Sequence, residues 1–406
     1  MLTFRRAVAA AALILTILYL FTHTHSDSSL SPLGSAAAEK QQQQHDGTEH
    51  ASTTASHPKD DSSKSSQQAS TNSKKPSTQR PLVDPSTLSL PDKLAYHFPY
   101  DLPTKFPAYI WQTWKHTPAS GEFAESLRPA EASWSEKHPG FVHEVVTDAV
   151  ALHLLRYLYA ALPEVLQAYE ALPLPILKAD FFRYLILLAR GGIYTDIDTH
   201  ALRSALDWIP PSVPHEAVGL VVGIEVDAAD REDWAEWYSR RIQLCQWTIQ
   251  AKPGHPVLRS IVARITAETL RRQKAGALHV SDDKVVEFTG PAVWTDVVFD
   301  FFNDDKYFEG VGNITWRDFT GMKGPKKVGD VIVLPITSFS PGVQTMGSGE
   351  YDDPMAFVKH EFEGSWKPEN LRHIGIVYDG TENEQIEAQQ KAQQEAQAQK
   401  QKQTQA

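Results

Sequence analysis

Lys178-Ala-Asp-Phe-Phe-Arg-Tyr184, an apolar run, and then Ala189-Arg-Gly-Gly-Ile-Tyr-Thr-Asp-Ile-Asp-Thr199 form the stretch whose reading decides the fold. From Ile176 to Ala189 apolar residues recur at helical spacing, and Gly191-Gly192 stops the run where a left-handed C-cap is wanted. A strand is expected to begin there. Asp180 and Arg183, three apart, share one face of the helix. On the strand Tyr194, Asp196 and Asp198 fall at alternate positions, which places them on one side. The pattern predicts a helix that delivers an Asp and an Arg, and a strand end that delivers two carboxylates, to one pocket.

Those residue types suit a nucleotide-sugar site. A departing diphosphate builds negative charge, so it needs a hard divalent cation and oxygen ligands to hold that cation, which Asp-x-Asp supplies. One carboxylate binds the ion directly while the other acts through water or touches the ribose; Arg183 neutralises phosphate or orients the sugar with its forked donors. A structural alternative stands beside this: Asp180 and Arg183 as an intrahelical ion pair, with the Asp-x-Asp as a turn. Asp-x-Asp alone arises by chance in solvated loops, so the weight rests on the combination.

On these residues the chain resembles the family 32 glycosyltransferases, which include fungal Golgi mannosyltransferases. Ile110-Trp-Gln-Thr-Trp-Lys115 is similar to the family's first strand and base-binding turn. Gly223-Ile-Glu-Val-Asp227 and Gln246-Trp-Thr-Ile-Gln-Ala-Lys-Pro-Gly-His-Pro256 are similar to its middle region, and Thr289-Gly-Pro291 and His360-Glu-Phe-Glu-Gly-Ser-Trp-Lys367 follow in the same order. The resemblance runs from about Phe106 to about Tyr378 and covers neither end. It implies an α/β fold of the GT-A nucleotide-sugar type, a Rossmann-like mixed sheet in a single catalytic domain. It further implies transfer of mannose from GDP-mannose to an N-glycan core in α-1,6 linkage with retention of configuration, and a divalent metal, manganese foremost. By the same resemblance Asp180, Arg183 and Asp198 are catalytic, and Trp111, Tyr194, Asp180, Arg183 and Asp196 bind the donor. Asp196 and Asp198 hold the metal, with His360 completing its shell and Glu361 an equally suitable oxygen ligand. Trp111 and Trp114 could stack on guanine or simply pack at the strand end. Alternatives within reach are mannosylation of an inositol-phosphoceramide lipid, and a non-catalytic subunit of a Golgi mannosyltransferase complex. A superficial likeness of Asp196-Ile-Asp-Thr-His200 to the opening of haloacid-dehalogenase phosphatases fails at His200, and at Leu334 where a second metal carboxylate would stand.

The 406 residues divide by composition. A cytoplasmic tail is expected at 1–6, a transmembrane signal anchor at 7–21, a disordered stem at 22–95, the catalytic domain at 96–380 and a polar low-complexity tail at 381–406. Arg5-Arg6 before the uncharged run from Ala7 to Phe21 predicts a single-pass type II membrane protein with a luminal domain, and the family resemblance implies the Golgi membrane; a cleaved signal is the alternative, with Ala36-Ala37-Ala38 far downstream for it. A formal net charge of −11 speaks against a chain-wide nucleic-acid footprint. The one cysteine, Cys245, lies in an apolar pattern and reads as a buried small hydrophobe, which leaves no internal disulfide. Stem histidines lack metal-ligand spacing, and Asn313-Ile-Thr315 is a glycosylation sequon.

Within the domain, pattern predicts strands at Tyr109–Gln112, Val142–Val146, Leu220–Val226 and Val331–Leu334, and helices at Asp148–Leu158, Ile176–Ala189 and Val257–Lys274. Their interleaving points to a mixed sheet covered by helices. Trp234, Trp237 and Tyr238, beside Arg240-Arg241, either line an acceptor groove or pack as a helical face.

Overall fold

The computed structural model describes residues 87–364 apart from 229–230, 281–283, 309–311 and 344. The described residues belong to one compact unit. The expected cytoplasmic tail, anchor, C-terminal tail and nearly all of the stem lie outside the described residues. Among the described residues no helix is long and apolar enough to cross a membrane.

A mixed sheet organises the domain. After helix α1 (Leu90–His97), strands β1 (Tyr109–Thr113) and β2 (Val142–Val146) pair in parallel around the intervening helix α2 (Arg128–Lys137). Helices α3 (Asp148–Leu158), α4 (Pro163–Ala171) and α5 (Pro175–Arg190) lead into β3 (Gly192–Thr195), which lies parallel to β1. The short β4 (Thr199–Ala201) follows, then the long β5 (Leu220–Asp227), β6 (Ile242–Leu244) and β7 (Thr248–Ala251). Helices α6 (Pro256–Lys274) and α7 (Pro291–Phe302) precede β8 (Lys326–Val328), β9 (Val331–Leu334) and β10 (Val358–His360). The strand order is β2-β1-β3-β7-β5-β9-β8, with β6 on β5. β7 runs antiparallel between β3 and β5, which is what makes the sheet mixed. Each strand and helix read from the sequence is present, with ends moved by at most a residue or two except in β3, which stops at Thr195, short of Asp198.

Local chemistry explains the elements. Proline in the first turn opens α4, α5, α6 and α7, where its missing N–H costs no hydrogen bond. α5 is buried at every residue from Asp180 to Leu188, so its sequence reads as apolar nearly all round. Gly191 ends it with φ +65°, its N–H bonded to the Leu187 carbonyl. Gly192, at φ +97°, lies so close to β1 that a Cβ would stand 2.6 Å from the Tyr109 carbonyl oxygen.

Alternation across the strands fills two cores. Trp111, Tyr194 and Val222 face the layer of α5, α6 and α7, while Ile110, Ile193 and Val221 face Trp134, Trp208 and Phe339. Cys245 is buried in the second cluster, as its pattern implied. Trp111, expected either to stack on guanine or to pack at the strand end, is 8% exposed, donates its indole N–H to the Gly191 carbonyl at 3.0 Å and stacks on Tyr109, bracing the helix–strand junction.

A second, two-stranded sheet carries the functional consequence. β10 runs antiparallel to β4 with His360 opposite Thr199. This brings a residue from the far end of the described chain beside the Asp-x-Asp.

Candidate active site

Tyr194 and Asp196 leave β3 toward the same place, but the strand ends at Thr195. Asp196 to Thr199 then form a turn in which the Thr199 hydroxyl and N–H both donate to the Asp196 carbonyl, at 2.6 and 3.3 Å. The expected alternation therefore holds as far as Asp196, and Asp198 reaches the site from the turn instead of from the strand. Gln112 donates to the same Asp196 carbonyl at 3.1 Å, which ties the turn to β1.

Behind the turn sits a buried polar network. Arg183 Nη2 donates to Asp196 Oδ1 at 3.0 Å, and Nη1 lies 2.9 Å from Asp180 Oδ1. Tyr194 donates its hydroxyl to the same Asp196 Oδ1 at 3.0 Å, while the guanidinium lies 4.9 Å from the Tyr194 ring centre. Asp180 also accepts from Gln246 Nε2 at 3.0 Å and Thr289 Oγ1 at 2.7 Å. Tyr184 bonds the Gln246 side-chain oxygen and the Thr289 carbonyl. Asp180 and Arg183, expected as direct donor and catalytic contacts, are 1% and 2% exposed. Their observed partners are protein groups: both the intrahelical pair and the link to Asp196 exist, and together they prop the first carboxylate of Asp-x-Asp.

In front of the turn, Asp196, Asp198 and His360 each offer a ligand atom, and these atoms lie within 4.8 Å of one another. His360 Nε2 is 3.3 Å from Asp198 Oδ1, and the Glu363 N–H donates to Asp198 Oδ2 at 3.1 Å. The imidazole is packed against Trp247 and Phe362, with ring centres 4.4 and 4.0 Å away. Its buried Nδ1 has no hydrogen-bond partner. Glu361 points elsewhere, bonded to His200 Nε2 at 3.0 Å and Lys359 Nζ at 2.7 Å. Of the two residues between which the sequence left the choice open, His360 is the one grouped with Asp196 and Asp198, while the Glu361 side chain is taken up by His200 and Lys359.

Electrostatics follows from the packing. Burial pushes the Asp196 carboxyl up from its ordinary value, outweighing the pull of Arg183. Burial acts on Asp198 too, yet the His360 charge and hydrogen bond and the Glu363 N–H together hold its carboxyl below the ordinary value. Burial would lower His360, but Asp198 raises it on balance. Two carboxylates of unlike proton affinity beside an imidazole with an unpartnered buried nitrogen make a donor set that fits a divalent ion.

Sequence reasoning gave no role to Glu225, Gln246, Thr289 or Trp247. Glu225, on β5, is pushed up by burial and lies within the fields of His360 and Arg183. The available signal was a polar residue interrupting apolar strands, at Ile224-Glu225-Val226 and Leu244-Cys245-Gln246. Trp114 packs partly buried at Phe123 and Ile197, away from this network's interior. A separate cleft of about 560 Å³, lined by Arg240, Arg264, Glu268, Arg271, Arg272 and Asp296 among others, holds charges that largely pair with one another.

The helix-backed Asp-x-Asp follows an interior strand of the mixed sheet and is faced by an imidazole, and it lies within residues 125–214, which match the glycosyltransferase sugar-binding region containing a DXD motif. An initiation-specific α-1,6-mannosyltransferase of Candida albicans is 46% identical over 314 residues, 73% of this chain and 81% of the relative. The enzyme of that name from Schizosaccharomyces pombe is 44% identical over 277 residues, 68% of this chain and 67% of the relative. The chain belongs to the family of initiation-specific α-1,6-mannosyltransferases. Among solved structures, PaToxG Glycosyltransferase superposes with a TM-score of 0.33 at 16% identity, covering 52% of this chain and 76% of that one, too distant a likeness to bear on the fold.

Proposed function

We propose that this mannosyltransferase takes mannose from GDP-mannose and forms an α-1,6 link to an N-glycan core, with retention of configuration and with a divalent metal, manganese foremost, held by Asp196, Asp198 and His360. The observation that carries the reading is the meeting of these three ligand groups at one point in front of the Arg183–Asp180 prop. When bound, the ion supplies Lewis-acid stabilisation of the charge that develops on the departing diphosphate.

The chain's own groups do the positioning. Arg183 and Tyr194 both bond Asp196 through Oδ1, which fixes that carboxylate and leaves Oδ2 free of both donors. Gln246 and Thr289 hold Asp180 and, through it, Arg183, so that the prop is set before any donor arrives. Tyr194 and Arg183 act from behind the turn through Asp196, and Trp247 and Phe362 keep His360 facing the carboxylates. No side chain is assigned as a nucleophile. In a retaining transfer of this kind the departing phosphate itself takes the acceptor proton on the same face.

The domain is read as a GT-A catalytic unit carried on a stem from the anchor at 7–21, in the Golgi membrane and facing its lumen, within reach of a mannosyltransferase complex. The test is to supply GDP-mannose with manganese and offer N-glycan core, short mannoside and inositol-phosphoceramide acceptors, then to map the product linkage and anomeric configuration. An α-1,6-mannosylated N-glycan core is expected. Transfer to the lipid alone, or full turnover in chelator, refutes the reading.

A further inference from the structure

The segment between β5 and β6 carries aromatic surface that the core does not use. Trp237 is 63% exposed, yet it is held still: its indole N–H donates to Asp233 Oδ2 at 2.9 Å. Arg231 forks onto both oxygens of Asp233 at 2.9 and 2.8 Å, with its guanidinium 5.3 Å from the Trp237 ring centre. Arg241 sits 5.3 Å from the ring centre of Trp234 and 4.9 Å from that of Trp316. Helical packing, the alternative reading of this segment, does not account for an immobilised indole left in water. Exposed apolar surface of this kind marks an interaction site, and ordering it in advance lowers the cost of binding.

The platform lies at the active-site end of β5. Ile242, next to Arg241, is registered opposite Asp227, and the Arg241 carbonyl accepts from the Ala228 N–H at 2.9 Å. Asp227 accepts from the Thr320 hydroxyl at 2.8 Å and the Gly321 N–H at 2.6 Å, which anchors the turn bearing Trp316. β3 and β5 both run antiparallel to β7, so the end of β5 that carries Asp227 lies on the side of the sheet where β3 delivers Asp196.

The chemistry of the patch selects its occupant. Residues 230–241 hold four acidic residues, at 230, 232, 233 and 236, against arginines 231, 240 and 241, a balance that does not attract a polyanion. A hexopyranose has one face of C–H bonds, which packs on an indole, and a rim of hydroxyls that both donate and accept, which matches paired Arg and Asp groups. We infer that Trp237, Trp316 and the Arg231–Asp233 and Arg241 groups around them form a subsite for the sugars of the acceptor glycan beyond the residue that receives mannose. This rests on the reading of the enzyme as one that extends an N-glycan.

The test uses the full-length protein in detergent with Trp237→Ala, Trp316→Ala and Trp237→Phe. Three quantities are measured: Kd for a free N-glycan core without donor, steady-state transfer to that core and to methyl α-mannoside, and GDP-mannose hydrolysis without acceptor. Each Ala variant is expected to raise Kd and KM for the core about tenfold, the value of one aromatic contact, with kcat little changed. Turnover of methyl mannoside and donor hydrolysis should stay at the wild-type level, and Trp237→Phe should recover most of the affinity. Unchanged Kd for the core in both Ala variants overturns the inference and leaves the face to a protein partner. Absent GDP-mannose turnover in the wild type overturns the functional reading instead, while glycan binding still decides the platform.

Discussion

Replacing Arg183 by Met removes one charge from the centre of the prop while keeping its volume. The side chain is 2% exposed and serves two carboxylates at 2.9 and 3.0 Å, so nothing from solvent can take its place. Breaking a buried ion pair from one side costs about 3–5 kcal/mol, because the partner charge stays behind uncompensated. For a domain of this size each kcal/mol moves the unfolding midpoint by about 2–4 °C, so the variant should melt roughly 6–20 °C lower. Asp196 also loses one of the two bonds on its Oδ1, a charge-assisted one worth about 1.5–3 kcal/mol, and transfer should fall about 10- to 100-fold as the carboxylate wanders. Arg183→Lys should lie between, since a single ammonium cannot span both carboxylates as the guanidinium fork does. Thermal unfolding followed by circular dichroism, with GDP-mannose turnover on the same samples, measures both effects. An unfolding midpoint equal to wild type within error, or full turnover in Arg183→Met, refutes the prop.

Manganese is expected to raise the melting temperature of the wild type, and Asp198→Asn should abolish both that rise and transfer, at a stability cost of about 1 kcal/mol without metal, because the amide oxygen still accepts from Glu363 but no longer pairs with His360. A manganese-induced shift that persists in the variant counts against the metal site. Thr289→Val strips Asp180 Oδ2 of a donor in a fully buried setting and should lower the denaturant midpoint by about 1–3 kcal/mol worth of stability; an unchanged midpoint would mean Asp180 is satisfied elsewhere. His143 is held down to about 4 from its ordinary 6.5 by burial, with Gln112 and Ser135 on its two ring nitrogens at 2.8 and 2.9 Å. The unfolded chain therefore binds the proton first, so the stability His143 contributes is full above about pH 6.5 and lost as pH falls toward about 4, some 3 kcal/mol in all. His143→Gln should flatten that part of the stability profile in urea titrations across pH, and an identical slope in the variant would dismiss this assignment.

Much of the fold was legible because its signals are local. Proline at helix starts, Gly191-Gly192 at a helix end, and the two-residue and helical periods of apolar side chains each report on a few neighbouring residues, and they placed α5, β5, β9 and α6 within a residue or two and the start of β3 at Gly192. The same local spacing put Asp180 with Arg183 and Tyr194 with Asp196. It could not show that β3 stops at Thr195, since the turn that follows is fixed by the Thr199 and Gln112 bonds to one carbonyl. Nor could it separate a donor-stacking Trp111 from a core one, because an indole at a strand end looks alike in both until its neighbours are known.

What the sequence by itself determined is the identity of the chemical groups and the element each rides on: two carboxylates after a strand, a third with an arginine on the helix before it, an imidazole near the end of the domain. What only the tertiary structure decided is which of them meet. Antiparallel pairing of β10 with β4 sets His360, and not Glu361, against Asp198, across more than 150 residues of chain. Enclosure of α5 turns Asp180 and Arg183 from open contacts into a buried prop, because packing on every side, and not spacing along the chain, determines what water and substrate can reach.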